Sequence, residues 1–141
     1  MKFSKIMVGV DETPDALKAF QHAIKKSIRD DAELIIISII EDKNINVYQS
    51  LDKNYWQSEL KKLQIRCKKY EEEAKEAGVN RVNLIIDEGD PGELIVNKWI
   101  PIMKPNLLVI GSKSTNKLEN FFGSQASYMA RYARISVMIV R

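Results

Sequence analysis

Residues 107–125, LLVIGSKSTNKLENFFGSQ, carry the strongest chemical signal in the chain. Leu107, Leu108, Val109 and Ile110 form a continuous apolar run, as a strand buried on both faces requires. Gly111 ends the run, and Gly123 and Ser124 open a helical segment with Ser124 placed as its N-cap. Unpaired N–H groups at a helix start, with the positive end of its dipole, suit an anion. The chemistry on offer is therefore phosphate or carboxylate binding. A plain strand-to-helix connection is the competing reading, since any α/β fold contains one. Two other stretches bear on the choice: Val10-Asp11-Glu12 after a first apolar run, and Ile39-Ile40-Glu41 after a second.

The elements that must position these residues can be read in order. Residues 6–10, IMVGV, are the first strand. Pro14 suits the first turn of a helix that runs to about Arg29, with Thr13 or Asp15 able to cap it. Ala16, Leu17, Phe20, Ala23, Ile24, Ser27 and Ile28 share its inner face. Residues 32–40 are a second strand, apolar but for Glu33 and Ser38, and residues 41–53 are a long polar connection. A helix over residues 54–77 carries Trp56, Leu60, Leu63, Cys67, Tyr70, Ala74 and Ala77 on one stripe, and Gly78 ends it. Residues 82–87 are a third strand. Asp90 as N-cap and Pro91 at the first position start a third helix, which Pro101 should kink or end near Ile100. Residues 107–110 are the fourth strand, a short turn is expected over 117–122, a fourth helix over 124–133, and a fifth strand over 137–140. Alternating strands and helices predict one domain, residues 1–141, with a parallel sheet, right-handed crossovers and helices on both faces. Ligands of such sheets bind beyond the carboxyl ends of the strands, where the strand order switches. The three notable loops all leave that edge, which favours the anion site.

Bulk properties exclude other classes. A net charge of +3 is too mild to imply nucleic-acid binding. No apolar run approaches the roughly 20 residues needed to span a bilayer, and the N-terminus lacks the pattern of a signal peptide. One cysteine, Cys67, excludes an internal disulfide and a cysteine-based zinc cluster, and inside its stripe it reads as a buried core thiol. The expected compartment is the cytoplasm. The single histidine, His22, lies among lysines on the outer helix face and reads as a solvated surface group. No Ser-His-Asp set and no pocketed carboxylate dyad is apparent, so no efficient hydrolase is expected.

The pieces IMVGVDETP, Ser38–Glu41, Gly89-Asp90-Pro91 and the terminal glycine motif stand in an order that resembles the universal stress protein family over essentially the whole chain. The resemblance implies a flavodoxin- or Rossmann-like, doubly wound, three-layer sheet of order 3-2-1-4-5. It also implies an adenine nucleotide, ATP or AMP, bound by Val10, Asp11, Ile39, Gly111, Ser114, Gly123, Ser124 and Gln125. Asp11 and Gly111 would face the ribose, the Ile39 backbone the adenine, and Gly123, Ser124 and Gln125 the phosphates. The family pattern Gly-x2-Gly-x9-Gly-Ser/Thr is altered here: Ser114 stands for the second glycine, and the spacer, residues 115–122, has eight residues. Glu12 and Thr13 replace the usual Gly-Ser after the aspartate, and Glu12 would repel a phosphate unless Mg2+ or Mn2+ bridged them. The family also has a branch that binds no nucleotide, which leaves a dimeric interaction protein with a degenerate site as the alternative. A homodimer is expected through the last strand, Val137, Met138, Ile139 and Val140, apolar on both faces yet at the sheet edge.

Overall fold

The computed structural model describes residues 2–41, 52–113 and 123–141. Ser114, the expected turn at 117–122 and most of the polar connection at 41–53 lie outside the described residues. Five parallel strands, β1 (Lys5–Gly9), β2 (Glu33–Ile40), β3 (Val82–Glu88), β4 (Leu107–Gly111) and β5 (Ser136–Val140), form one sheet of order β3-β2-β1-β4-β5. The expected flavodoxin-like architecture is thus present, with the order reversing between β1 and β4. The helices are α1 (Pro14–Asp30), α2 (Lys53–Ala77), α3 (Pro91–Leu94), α4 (Ile100–Met103) and α5 (Ser124–Tyr132), with a π-helical turn, Ile95–Trp99, joining α3 to α4.

Strand alternation divides the core into two layers. Ile6, Val8, Leu34, Ile36, Leu107 and Val109 pack with Phe20, Ala23 and Ile24 of α1 and Ala74 of α2. Met7, Ile35, Ile37, Leu108 and Ile110 pack on the other face with Ile95, Ile100, Ala126 and Met129. Each large side chain fully buried this way stabilises the fold by roughly 1.5–3 kcal/mol, which is why β1, β2 and β4 contain so few polar residues. The α1 stripe is narrower than its spacing suggests: Leu17 and Ile28 are 41% and 45% exposed. Both lie at the margin of the arc that the buried residues Ala16, Ala19, Phe20, Ala23, Ile24 and Ser27 define.

Local caps follow the residue types. The Thr13 hydroxyl accepts from Ala16 N–H at 3.2 Å and starts α1. Asp90 Oδ2 accepts from Glu93 N–H at 3.2 Å and starts α3. Gly78, with φ 117°, closes α2 in the left-handed region that favours glycine. Two expectations need correction. Gly123, not Ser124, is the N-cap of α5, and no side chain caps that helix. Of the two outcomes expected at Pro101, a kink or an end near Ile100, the end does not occur: the helix runs on to Met103. Pro101 lacks an N–H and crowds the carbonyl four residues back. The preceding turn widens instead, with Ile100 N–H bonding Ile95 C=O in the π pattern.

That π turn is fastened to β3 through Asp87. Its Oδ2 accepts from Lys98 Nζ at 2.9 Å and from Trp99 Nε1 at 2.8 Å, and the Lys98 ammonium lies 4.8 Å from the Trp99 ring centre. Burial opposes the Asp87 charge, but the bonds from Lys98, the Glu88 N–H and Trp99 outweigh it and hold the carboxyl below its ordinary 3.8. A carboxyl lowered in the fold contributes stability above its unfolded pKa and loses it as pH falls through the folded value. Asp87→Asn is therefore expected to lower the melting temperature at about pH 7 and to lower it less at about pH 3. An equal drop at both pH values would remove this charge from the account.

Candidate functional site

A cleft of about 320 Å³ opens at the carboxyl edge of the sheet, where β1 and β4 diverge. Its floor is the chain leaving β1 and β2. Val10 N–H donates to Ile37 C=O at 3.0 Å, and Ser38 Oγ donates to Val10 C=O at 2.8 Å. Toward β3, Gly89 N–H donates to Ile40 C=O at 2.9 Å. In a parallel ladder, alternate residues bond to opposite neighbours. Even-numbered Ile40 faces β3 and odd-numbered Ile37 faces β1, so Ile39 presents its N–H and C=O past the end of β1, toward the cleft it lines. Beneath the floor lies Cys67, fully buried as expected; burial pushes its thiol pKa up, against a smaller opposing effect of Ser38.

Asp11 stands at the cleft rim with Oδ1 accepting from the Thr13 N–H at 2.8 Å and from the Thr13 hydroxyl. Gly111 also lines the cleft, but packing explains its identity. A Cβ there would lie 2.7 Å from Ala16 N and 2.8 Å from Asp15 C, inside the first turn of α1. Ser112, buried, ties this corner together. Its hydroxyl donates to Asp15 Oδ2 at 2.6 Å, its N–H to Val140 C=O at 2.8 Å, and its C=O accepts from Gly123 N–H at 2.8 Å. The glycine motif thus leaves and returns at one point, which sets the start of α5. Ser127 N–H makes the first intrahelical bond, to Gly123 C=O at 3.0 Å. The N–H groups of Ser124, Gln125 and Ala126 precede that bond, in the positions a helix leaves for an anion.

Of the residues singled out in the sequence, Val10, Asp11, Ile39, Gly111 and Gln125 line one cleft. Gly123 and Ser124 adjoin it through Gln125 and Ala126 without lining it themselves. The Gln125 side chain is directed away from the role expected of it. Its Oε1 accepts from Gly92 N–H at 2.7 Å and its Nε2 donates to Asp90 Oδ1 at 2.8 Å, clamping α5 to the start of α3. Only its backbone N–H is left to the helix N-terminus.

Sequence reasoning missed the contribution of α2. At 25 residues this helix is about 37 Å long, against about 26 Å for the eight residues of β2. Its first turns therefore overhang the sheet, and Tyr55, Glu59, Leu63 and Arg66 line the cleft. The length of the periodic stretch was the available signal. Arg66 Nη1 lies 2.7 Å from Glu12 Oε1, so Glu12 already has a cation beside it and needs no metal to offset its charge. Among the described residues, no group of three or more His, Cys, Asp or Glu is placed to hold a metal ion, and no helix is long and apolar enough to cross a membrane.

A doubly wound parallel sheet with a cleft at its switch point and an uncapped helix start beside it defines a Rossmann-like α/β fold with a cavity where such sheets bind ligands. The profile of the universal stress protein family matches residues 2–141, and the chain belongs to that family. A protein of Staphylococcus haemolyticus (strain JCSC1435), provisionally named a universal stress protein, is 28% identical over 142 residues, covering 100% of this chain and 86% of the relative. Among solved structures, UspA of Lactobacillus plantarum superposes with a TM-score of 0.87 at 21% identity, covering 100% of this chain and 99% of that one. A universal stress protein in complex with cAMP gives 0.72 at 20% identity, with coverage of 100% and 98%. A family member from Arabidopsis thaliana with AMP bound gives 0.66 at 18% identity, with coverage of 97% and 90%. At these identities the structures establish the likeness of fold.

Proposed function

We propose that this single-domain chain of 141 residues is a cytoplasmic regulatory protein of the stress-response type that binds an adenine nucleotide in the cleft between β1, β2 and β4. The observation that carries the reading is the Ile39 edge. One N–H and one C=O, side by side beyond the end of β1, match the acceptor and donor on the Watson–Crick edge of adenine. The α5 N-terminus supplies N–H groups for a phosphate, and Asp11 a carboxylate for ribose hydroxyls. That solved relatives carry cAMP and AMP supports the choice of base. Mg2+ or Mn2+ would enter with a polyphosphate, bound mainly by the phosphates. The role proposed is binding of the nucleotide. The test is nucleotide carried through purification: denatured protein should release an adenine compound identified by absorbance and mass, and a clean supernatant from protein purified without dialysis would count against the reading. The Gln125 clamp favours the alternative, an interaction protein with an unused site, because it withdraws one side chain from the phosphate position.

The same reading includes a homodimer through β5. This strand is at the sheet edge, and its Val137, Met138 and Ile139 are only partly buried. Pairing with β5 of a second copy would satisfy the open backbone groups and cover these side chains. Light scattering at micromolar concentration is expected to give a dimer for the parent and a folded monomer for Ile139→Lys. A monomeric parent, or an equally dimeric variant, would move the interface elsewhere or remove it.

A further inference from the structure

Side chains of both signs line the cleft. Asp11, Glu12, Glu41 and Glu59 bring four carboxylates; Arg66 and Lys113 bring two cations. Arg66 is engaged with Glu12 at 2.7 Å, a contact that joins α2 to the loop after β1. Lys62, outside the cleft, meets Glu59 at 3.4 Å, so among the described residues the two signs come close to balance. The start of α5 adds about half a positive charge. Such surroundings suit a ligand of small charge. A monophosphate brings about two negative charges and a triphosphate about twice that. A phosphate that draws Arg66 toward itself leaves Glu12 unpaired beside it, so the exchange gains little.

The geometry points to a cleft that selects its adenine ligand by charge. Resting on the nucleotide reading above, it favours a nucleoside or monophosphate over a triphosphate unless a divalent cation accompanies the latter, and Glu12 sets the selection by holding Arg66. Glu12 is thus a specificity-determining residue, and it is one that contact with the base or ribose alone would not reveal.

Calorimetric titration of the full chain with adenosine, AMP and ATP, in chelator and then with Mg2+, tests this. In chelator the parent is expected to bind AMP or adenosine at least about tenfold more tightly than ATP, the effect of a single uncompensated charge at this range. Glu12→Gln should shrink the ATP-to-adenosine ratio of dissociation constants by about tenfold, as should Mg2+ with the parent. The Glu12 side chain is 69% exposed, so the substitution does not threaten the fold. ATP bound more tightly than adenosine and AMP in chelator, or a ratio unmoved by Glu12→Gln, overturns the selection while leaving nucleotide binding intact. No binding of any of the three by the parent overturns the nucleotide reading itself, and this inference with it.

Discussion

Gly111→Val is expected to destabilise the fold by about 3 kcal/mol, the upper part of the range for overpacking a closely packed site. The obstacle is backbone. A Cβ at Gly111 would sit 2.7 Å from Ala16 N and 2.8 Å from Asp15 C, and neither atom can swing aside as a side chain tip can. The first turn of α1 is itself fixed on both sides, by the Thr13 cap and by the Ser112–Asp15 bond. Relief would require α1 to lift from β4, opening the layer around Phe20 and Val109. Gly9 supplies the comparison, since a Cβ there meets Ile110 Cγ2 at 3.5 Å and Ile95 Cδ1 at 3.9 Å, both ordinary contacts with side chains. Gly9→Ala should lie within about 1 kcal/mol of the parent. Urea unfolding of the two variants separates these outcomes; similar midpoints would show that Gly111 is not there for packing.

Gly123→Val should do the reverse, sparing the fold and removing phosphate affinity. Gly123 has φ −60° and ψ 154°, extended backbone that valine adopts without strain. Its N–H bond to Ser112 and the bond its C=O accepts from Ser127 are both main-chain and survive the change. Losing glycine as N-cap costs about 1 kcal/mol. A branched side chain at this position, however, stands beside the N–H groups of Ser124, Gln125 and Ala126, where the proposed phosphate would lie. A loss of about 100-fold in AMP affinity is expected, about 2.7 kcal/mol or one to two charge-assisted hydrogen bonds. Circular dichroism and titration on the same preparation check it. A folded variant that binds AMP like the parent would put the phosphate elsewhere.

What could be read from the sequence was local. Thr13, Gly78, Asp90 and Pro91 act through neighbours two to four residues away, and the caps they predict are present. Continuous apolar runs in β1, β2 and β4 announced burial on both faces, and the alternation of elements then limited the topology to few choices. Apart from the one-residue shift of the α5 cap to Gly123, the side-chain contacts not foreseen join distant parts of the chain. Arg66 meets Glu12, Ser112 meets Asp15, and Gln125 meets Gly92 and Asp90. No spacing rule connects such residues. Glu12 in particular was read alone as a charge hostile to phosphate, and its effect changes once Arg66 stands beside it. The π turn was hidden for a related reason: Pro101 demands an adjustment, but whether the helix breaks or widens depends on what its next turn can bury, here Ile95 and Ile100 on the sheet.

In the proposed function the Ile39 edge and the α5 N-terminus together form one adenine-nucleotide site. Amide chemical shifts of isotope-labelled protein, followed during titration with AMP, test it most directly. The N–H signals of Ile39, Gly111, Gln125 and Ala126 are expected to move together and saturate with one dissociation constant. Those of Gly78 and Asn106, at the opposite edge of the sheet, should stay in place. No movement at millimolar AMP, or movement centred on Gly78 and Asn106, would contradict the account.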